Sequence, residues 1–411
     1  MPKRILILTA DAGFGHRSAA NAILTALSER YDVTAEIVNP LAQPGAPALL
    51  KFAETNYDRE VQNTPELYAV GYQVSDHSVA VSLMEQGLIA LLYKPLKDLV
   101  DAARPDAIIS TYPLYQAPLA ALFALNGRYV PVLVVVTDLA TVHGLWFHDD
   151  IDLCLVPTEQ VRAKALDSGL PPERVTITGL PVNPTFAQPY DQIELRTALG
   201  WSNDRTVALF AGSKRVTKLE PIAHALNHSG LPLELALVSG QDEALFKRWQ
   251  AEEWHQPAHI YSFVKNMPDL IRAADLVVCK AGGLIVSEAL AAGRPLLIAE
   301  AIPGQETGNA MVVVEGGAGE MIDSGIEALE TVCHWLEHDR ALLTERGVNA
   351  CKLGRSDAAY RVAELAYNAA HSGVQKRDHR LLGSVAHVRE IVKTQASSLV
   401  SESWSRIMRI I

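Results

Sequence analysis

Twelve short apolar runs recur along the 411 residues, and most are followed by a stretch of helical periodicity. Six fall in the first half, at residues 5–9, 33–38, 107–110, 132–137, 153–156 and 175–178. Six more fall at residues 206–211, 233–238, 259–261, 276–279, 295–298 and 319–321. Unbroken Val/Ile/Leu strands with helices between them predict parallel sheets buried on both faces. Six and six predict an α/β chain of two doubly wound, Rossmann-like domains rather than one large sheet, and the length suits two cores.

The halves are joined by Gly179-Leu180-Pro181-Val182-Asn183-Pro184, followed by Pro189. Such a proline-rich stretch is stiff and non-helical, which puts the boundary there: residues 1–183 and 184–354. Residues 44–103 are mostly helical and too long for a simple crossover, so they read as an insertion serving the first domain's ligand. Helical patterns fill residues 325–373, and a separate tail follows at 376–411.

Apolar residues make up 49% and charged residues 20%, a globular balance, and the net charge of −11 argues against wholesale nucleic-acid binding. The tail is the exception, with seven Lys/Arg against three Asp/Glu interleaved with Trp404, Ile407 and Ile411. A basic amphipathic helix of this kind suits an anionic lipid surface, the alternative being a helix packed on the body. The four cysteines show no paired spacing, and Cys154 and Cys279 sit inside apolar runs. The first strand begins at about residue 4, which predicts that no leader precedes it, and no uncharged run reaches membrane-spanning length. These features predict a cytoplasmic protein with reduced thiols, associated peripherally with the inner face of the membrane.

Two glycine loops stand at strand-to-helix junctions. Lys280-Ala281-Gly282-Gly283 opens a helix carrying Glu288. Glycine lets a diphosphate approach the free N–H groups of a helix N-terminus, and Glu288 suits ribose hydroxyls. One strand later comes Pro303-Gly304-Gln305-Glu306-Thr307-Gly308-Asn309, whose amides and carboxylate suit sugar hydroxyls or a polar helix start. Near the chain's beginning, Asp11-Ala12-Gly13-Phe14-Gly15-His16 leads into another helix. His16 suits a general base, kept neutral by the helix N-terminus and tuned by Asp11; read alone, it serves equally as a polar residue at a helix start.

A third cluster, Thr137-Asp138-Leu139 with His143 and Trp146, follows the strand at 132–137 and suits an acceptor pocket beside His16. Asp150-Ile151-Asp152 imitates a metal-holding carboxylate pair but lacks further oxygen ligands. The thirteen histidines show no metal-ligand spacing strong enough to predict a site, and neither a Walker loop nor a nucleophile elbow is present.

In these motifs the chain resembles glycosyltransferase family 28, in the diacylglycerol glycosyltransferase branch of monogalactosyldiacylglycerol synthases and processive diacylglycerol glucosyltransferases. The matching pieces are Gly13-Phe14-Gly15-His16-Arg17-Ser18, Val136-Thr137-Asp138-Leu139 and Thr178-Gly179-Leu180-Pro181. They continue with Phe263-Val264-Lys265-Asn266, Lys280-Ala281-Gly282-Gly283 and Pro303 to Asn309.

The resemblance implies a GT-B fold, with an acceptor domain and a UDP-sugar domain facing across a cleft and a helix at 355–375 returning to the first. It implies an inverting hexosyl transfer from UDP-galactose or UDP-glucose to diacylglycerol, with no metal and no cofactor beyond the UDP-sugar co-substrate. The catalytic residues fall on His16 and Asp138, and the acceptor side on Gly13, Phe14, Gly15, His143 and Trp146. Donor contacts fall on Phe263 and Val264 for uracil, Gly282 and Gly283 for diphosphate, and Glu288 for ribose. The sugar falls on Gln305, Glu306 and Asn309. Same-fold alternatives are a transferase acting on another lipid acceptor, such as a peptidoglycan lipid intermediate or a sterol, and a UDP-sugar epimerase.

Overall fold

The structure is a computed structural model that describes residues 2–372, apart from 12, 13, 44, 45, 49, 52–75, 77, 127, 128, 215 and 305. The tail at 376–411 and much of the insertion at 44–103 therefore lie outside the described residues.

All twelve apolar runs are strands. The first six are β1 (Lys3–Leu8), β2 (Val33–Val38), β3 (Ala107–Ser110), β4 (Val132–Val135), β5 (Leu153–Val156) and β6 (Val175–Ile177). The others are β7 (Thr206–Ala211), β8 (Leu233–Val238), β9 (Ala258–Tyr261), β10 (Leu276–Lys280), β11 (Leu296–Glu300) and β12 (Gly319–Met321). They form two six-stranded sheets, ordered β2-β1-β3-β4-β5-β6 and β12-β11-β10-β7-β8-β9. Every pairing is parallel. Central strands such as β3, β4 and β8 are buried at every residue, and the wholly apolar β4 therefore reads as a continuous rather than an alternating run.

In the first half the sheet is covered by α1 (Phe14–Arg30), α2 (Ser78–Ala103), α3 (Gln116–Asn126) and α4 (Glu159–Asp167). In the second half the helices are α5 (Gln192–Leu199), α6 (Leu219–Asn227), α7 (Glu243–Ala251), α8 (Met267–Ala273), α9 (Gly283–Ala291), α10 (Thr307–Glu315) and α11 (Gly325–Leu353). A last helix, α12 (Ala358–Ser372), completes the described chain.

The chain divides into two compact units, one built on residues 1–181 and rejoined at 358, the other on 182–302 and 306–357. Helix α12 belongs to the first unit. Tyr367 stacks on Tyr31 at 4.4 Å, the Tyr360 hydroxyl bonds the Glu29 carboxylate at 2.5 Å, and the Arg30 guanidinium lies 3.6 Å over the Tyr360 ring. These contacts fix α12 on α1, so the unit includes a segment from the far end of the sequence.

In each sheet the strand order reverses once, between β1 and β3 and between β7 and β10. In open parallel sheets the crevice beyond the carboxyl ends at such a reversal is where ligands bind. The loops that leave these four strands are therefore the positions where chemistry is expected.

Candidate active site

In the first unit, three adjacent strands deliver their C-terminal loops to one point. His16 is the third residue of α1, just after β1; Thr111 follows β3; Thr137 follows β4. His16 Nδ1 lies 2.8 Å from the Thr111 carbonyl oxygen and 3.0 Å from Thr137 Oγ1. A carbonyl oxygen only accepts, so Nδ1 carries the proton and donates it. The tautomer leaves Nε2 with its lone pair, as a general base requires.

The histidine's frame is itself braced. Thr111 Oγ1 donates to the His16 backbone carbonyl at 3.1 Å and lies 3.0 Å from Thr9 Oγ1, and the Tyr115 hydroxyl donates to the Thr9 carbonyl at 3.0 Å. Tyr112 meets the imidazole edge-on at 5.0 Å, and the Trp146 ring stands 6.1 Å away. Burial lowers the His16 pKa to about 4, outweighing the Thr111 carbonyl, which favours the protonated ring. The imidazole is therefore a neutral base across the physiological range.

The remaining predicted residues of this unit fall into distinct places. Asp138 is half-buried directly after Thr137. His143 is buried, and its Nδ1 accepts the Leu145 backbone N–H at 3.2 Å, capping the short turn Gly144–Trp146. Trp146 is only 2% exposed, so its indole is an interior wall near the imidazole. A Cβ built on Gly15 would meet nothing within 4 Å, so the turn before His16 faces open space. Asp11 holds Arg17 at 2.8 Å and Asn39 at 2.9 Å, and the Arg17 hydrogen bond keeps its pKa below the usual range. Gly13 and the Phe14 side chain lie outside the described residues. Asp152 accepts from the Tyr129 hydroxyl and the Val132 N–H, which commits it to the core edge and not to a metal.

In the second unit, the loop after β10 enters α9 with Gly282 as the N-cap, and no side chain caps the helix. The first-turn N–H groups are thus left without an intrahelical or capping partner. Gly282 has φ −68° and ψ 134°, a conformation open to any residue, and a Cβ there would meet nothing closer than Lys280 Nζ at 3.4 Å. The backbone does not need glycine at this position, whereas a ligand approaching the backbone there would benefit from it. Gly212, after β7 on the other side of the strand reversal, differs: a Cβ there would stand 2.7 Å from the Val238 carbonyl.

Beside Gly282, Lys280 forms a largely buried ion pair with Glu306, whose other oxygen accepts the Ile302 N–H at 3.1 Å. Asn309 is fully buried and donates to the Ala281 carbonyl at 3.0 Å, tying α10 to the glycine loop. Both residues thus brace the loop. Glu288, on α9, is half-buried and has no side-chain partner among the described residues; burial raises its pKa to about 8. Phe263 is 57% exposed in the loop leaving β9, with Val264 beside it half-buried. Gln305 lies outside the described residues.

Sequence reasoning did not single out Thr111. Its contribution is a backbone carbonyl, invisible in residue type, and it lies 95 residues from the histidine it orients. Thr137 was part of a recognised motif, but its hydroxyl's distance to a histidine 121 residues away needed the fold.

Two family models match the chain: monogalactosyldiacylglycerol (MGDG) synthase over residues 16–182 and the glycosyltransferase family 28 C-terminal domain over residues 207–344. A probable chloroplastic monogalactosyldiacylglycerol synthase of Nicotiana tabacum is 30% identical over 377 residues, covering 88% of this chain and 70% of the relative. A probable chloroplastic synthase 2 of Oryza sativa subsp. japonica is 31% identical, covering 88% and 80%. Among solved structures, MurG of Acinetobacter baumannii superposes with a TM-score of 0.58 at 16% identity, covering 89% of this chain and all of MurG, a likeness of fold alone.

These relatives correct one expectation. The predicted cytoplasmic placement at the inner face of a membrane does not stand, because the curated relatives are chloroplastic proteins. Unpaired thiols suit any reducing compartment, so they never discriminated between them. No helix among the described residues is long and apolar enough to cross a membrane. Two parallel Rossmann-like units, a neutral histidine at one strand reversal and a glycine-opened helix at the other accompany matches over both halves: the chain is a GT-B glycosyltransferase and belongs to the monogalactosyldiacylglycerol synthase family.

Proposed function

We propose that the protein transfers a hexose from a UDP-sugar to the free hydroxyl of diacylglycerol, with inversion at the anomeric carbon. The observation that carries this reading is the His16 tautomer: Nδ1–H is committed to Thr111, and the ring is neutral with Nε2 available. Nε2 takes the hydroxyl proton as the acceptor oxygen forms its bond to C1 of the sugar. The bond from C1 to the diphosphate oxygen breaks in the same step, and the electron pair leaves with UDP. Attack from the face opposite UDP converts an α-linked donor into a β-glycoside.

The leaving diphosphate gains negative charge as the bond breaks. The uncapped first turn of α9 offers N–H groups and a partial positive charge to it, and Gly282 leaves the approach open. Glu288, lacking a protein partner among the described residues, suits the ribose diol, and the exposed ring of Phe263 suits the uracil face. No residue in this scheme requires a metal or a further cofactor. Galactose is the hexose favoured, because the matching family model and relatives are galactolipid synthases by name.

The test is to supply UDP-galactose or UDP-glucose with diacylglycerol in mixed micelles. The expected product is a β-linked monogalactosyl lipid, identified by mass and by the anomeric proton coupling. Free UDP released at the same rate without diacylglycerol, or an interconverted nucleotide sugar, would refute the reading.

A further inference from the structure

Among the described residues, one group of three side chains brings metal-ligand atoms together: His224, His228 and Glu252, whose ligand atoms all lie within 4.8 Å of one another. His224 is in the last turn of α6, His228 is the residue that ends that helix, and Glu252 ends α7. Helix α6 runs from β7 to β8 and α7 from β8 to β9, so the ends of both lie where the next strands begin. That is the opposite edge of the sheet from the Gly282 loop, and the transfer chemistry has no use for these groups.

Several independent features fit an ion. Residues four apart share a helix face, and the two imidazole rings lie 4.6 Å apart. His224 Nδ1 is 3.2 Å from Glu252 Oε1. In a tetrahedral site with bonds of about 2.1 Å, neighbouring ligand atoms stand roughly 3.4 Å apart, so this edge already has nearly the required length. A third imidazole, His255, meets His228 edge-on at 4.7 Å. The C-terminal end of α6 adds a partial negative charge.

The three ligand side chains are exposed, but the backbone that carries them is held by a buried one. Asn227 is 1% exposed. Its Oδ1 accepts the backbone N–H groups of His255 at 2.7 Å and Gln256 at 3.1 Å, and its Nδ2 donates to the Glu253 carbonyl at 2.8 Å. One amide thus locks the end of α6 to the 252–256 segment, so the backbone carrying both sources of ligands is in place before an ion arrives, and the ordering cost falls on the exposed ligand side chains.

We propose that His224, His228 and Glu252 bind a divalent transition cation of the zinc class, with His255 adjoining and water completing the coordination. Two imidazoles and one carboxylate select zinc, nickel or copper over magnesium and calcium, which need oxygen ligands. The ion clips α6 to the segment that leads into β9, and binding to the folded state alone raises its stability.

The experiment titrates the untagged full chain with zinc by calorimetry, and with cobalt by visible absorption, in a non-chelating buffer and reductant. About one equivalent is expected to bind, with a rise in Tm that magnesium does not reproduce. His228→Ala is expected to weaken binding by at least about tenfold, Glu252→Gln to weaken it less, and Cys351→Ser to leave it unchanged. Hexosyl transfer by apo His228→Ala is expected to match that of the apo parent, which separates this site from the proposed reaction. Equal zinc affinity and stoichiometry in the parent and in His224→Ala/His228→Ala would overturn the proposal. So would an equal Tm shift with magnesium, or no binding at submillimolar zinc.

Discussion

The imidazole Nδ1 of His16 lies 2.8 Å from the backbone carbonyl oxygen of Thr111, and this one contact decides which ring nitrogen can do chemistry. The partner is main chain, so no side-chain substitution at residue 111 removes it directly. The tautomer is built into the turn that leaves β3.

The first consequence is a pH profile. Protonated His16 cannot accept the acceptor's proton, so kcat/KM for the acceptor falls as pH drops through the pKa of the free base. Burial sets that pKa at about 4 rather than 6.5, so kcat/KM for diacylglycerol is expected to hold its plateau through pH 6 and decline only near pH 4 to 5. An acid limb centred at 6.5 would mean that the ring is solvated during turnover.

Glu288 gives a second, with the opposite range. Burial raises its pKa to about 8 in the free protein. Ribose hydroxyls that donate to it favour the carboxylate and lower that pKa, so below pH 8 binding of UDP releases a proton. Affinity for UDP is expected to rise between pH 6.5 and 8 and then level, and Glu288→Gln is expected to flatten that slope. Calorimetry in buffers of different ionisation enthalpy reads the proton directly.

Gly282→Ala separates a ligand requirement from a backbone one. The conformation at 282 suits alanine, and its Cβ would have 3.4 Å of clearance, so Tm is expected to stay within about 2 °C of the parent. The methyl group would stand where the diphosphate must approach, so UDP affinity is expected to fall by at least about tenfold. A variant that binds UDP normally would remove this loop from the donor site.

The Lys280–Glu306 pair is expected to matter for stability. Both side chains are largely buried, at 15% and 8% exposure, and Lys280→Met leaves the carboxylate without its cation. The expected cost is about 3–5 kcal/mol, and the double variant Lys280→Met/Glu306→Leu is expected to recover much of it. Denaturant unfolding of the four proteins closes the cycle.

Much of this was legible in the residues. Continuous apolar runs such as Val132–Val135 mark strands buried on both faces, and the His16 and Gly282 loops stand out because glycine interrupts a strand-to-helix junction. Long-range geometry was not legible. Asn309 looks like a free amide on a polar helix start, yet its side chain is spent on the Ala281 carbonyl. Trp146, amphipathic by composition, is interior because the turn Gly144–Trp146 folds it under the core. The four-residue spacing of His224 and His228 was present in the chain, but it means little until Asn227 brings Glu252 to it. Location was misread because thiol burial, which pushes Cys154 and Cys279 up to about 12, reports packing and not compartment.

The most direct measurement is turnover of His16→Ala with UDP-galactose and diacylglycerol, taken beside its affinity for UDP. The expected result is a kcat lowered by about 10²–10⁴-fold with the dissociation constant for UDP unchanged, since the role proposed for Nε2 is on the acceptor and the donor loop belongs to the other unit. Turnover within a few-fold of the parent, at unchanged UDP affinity, would contradict the assignment of His16 as the base.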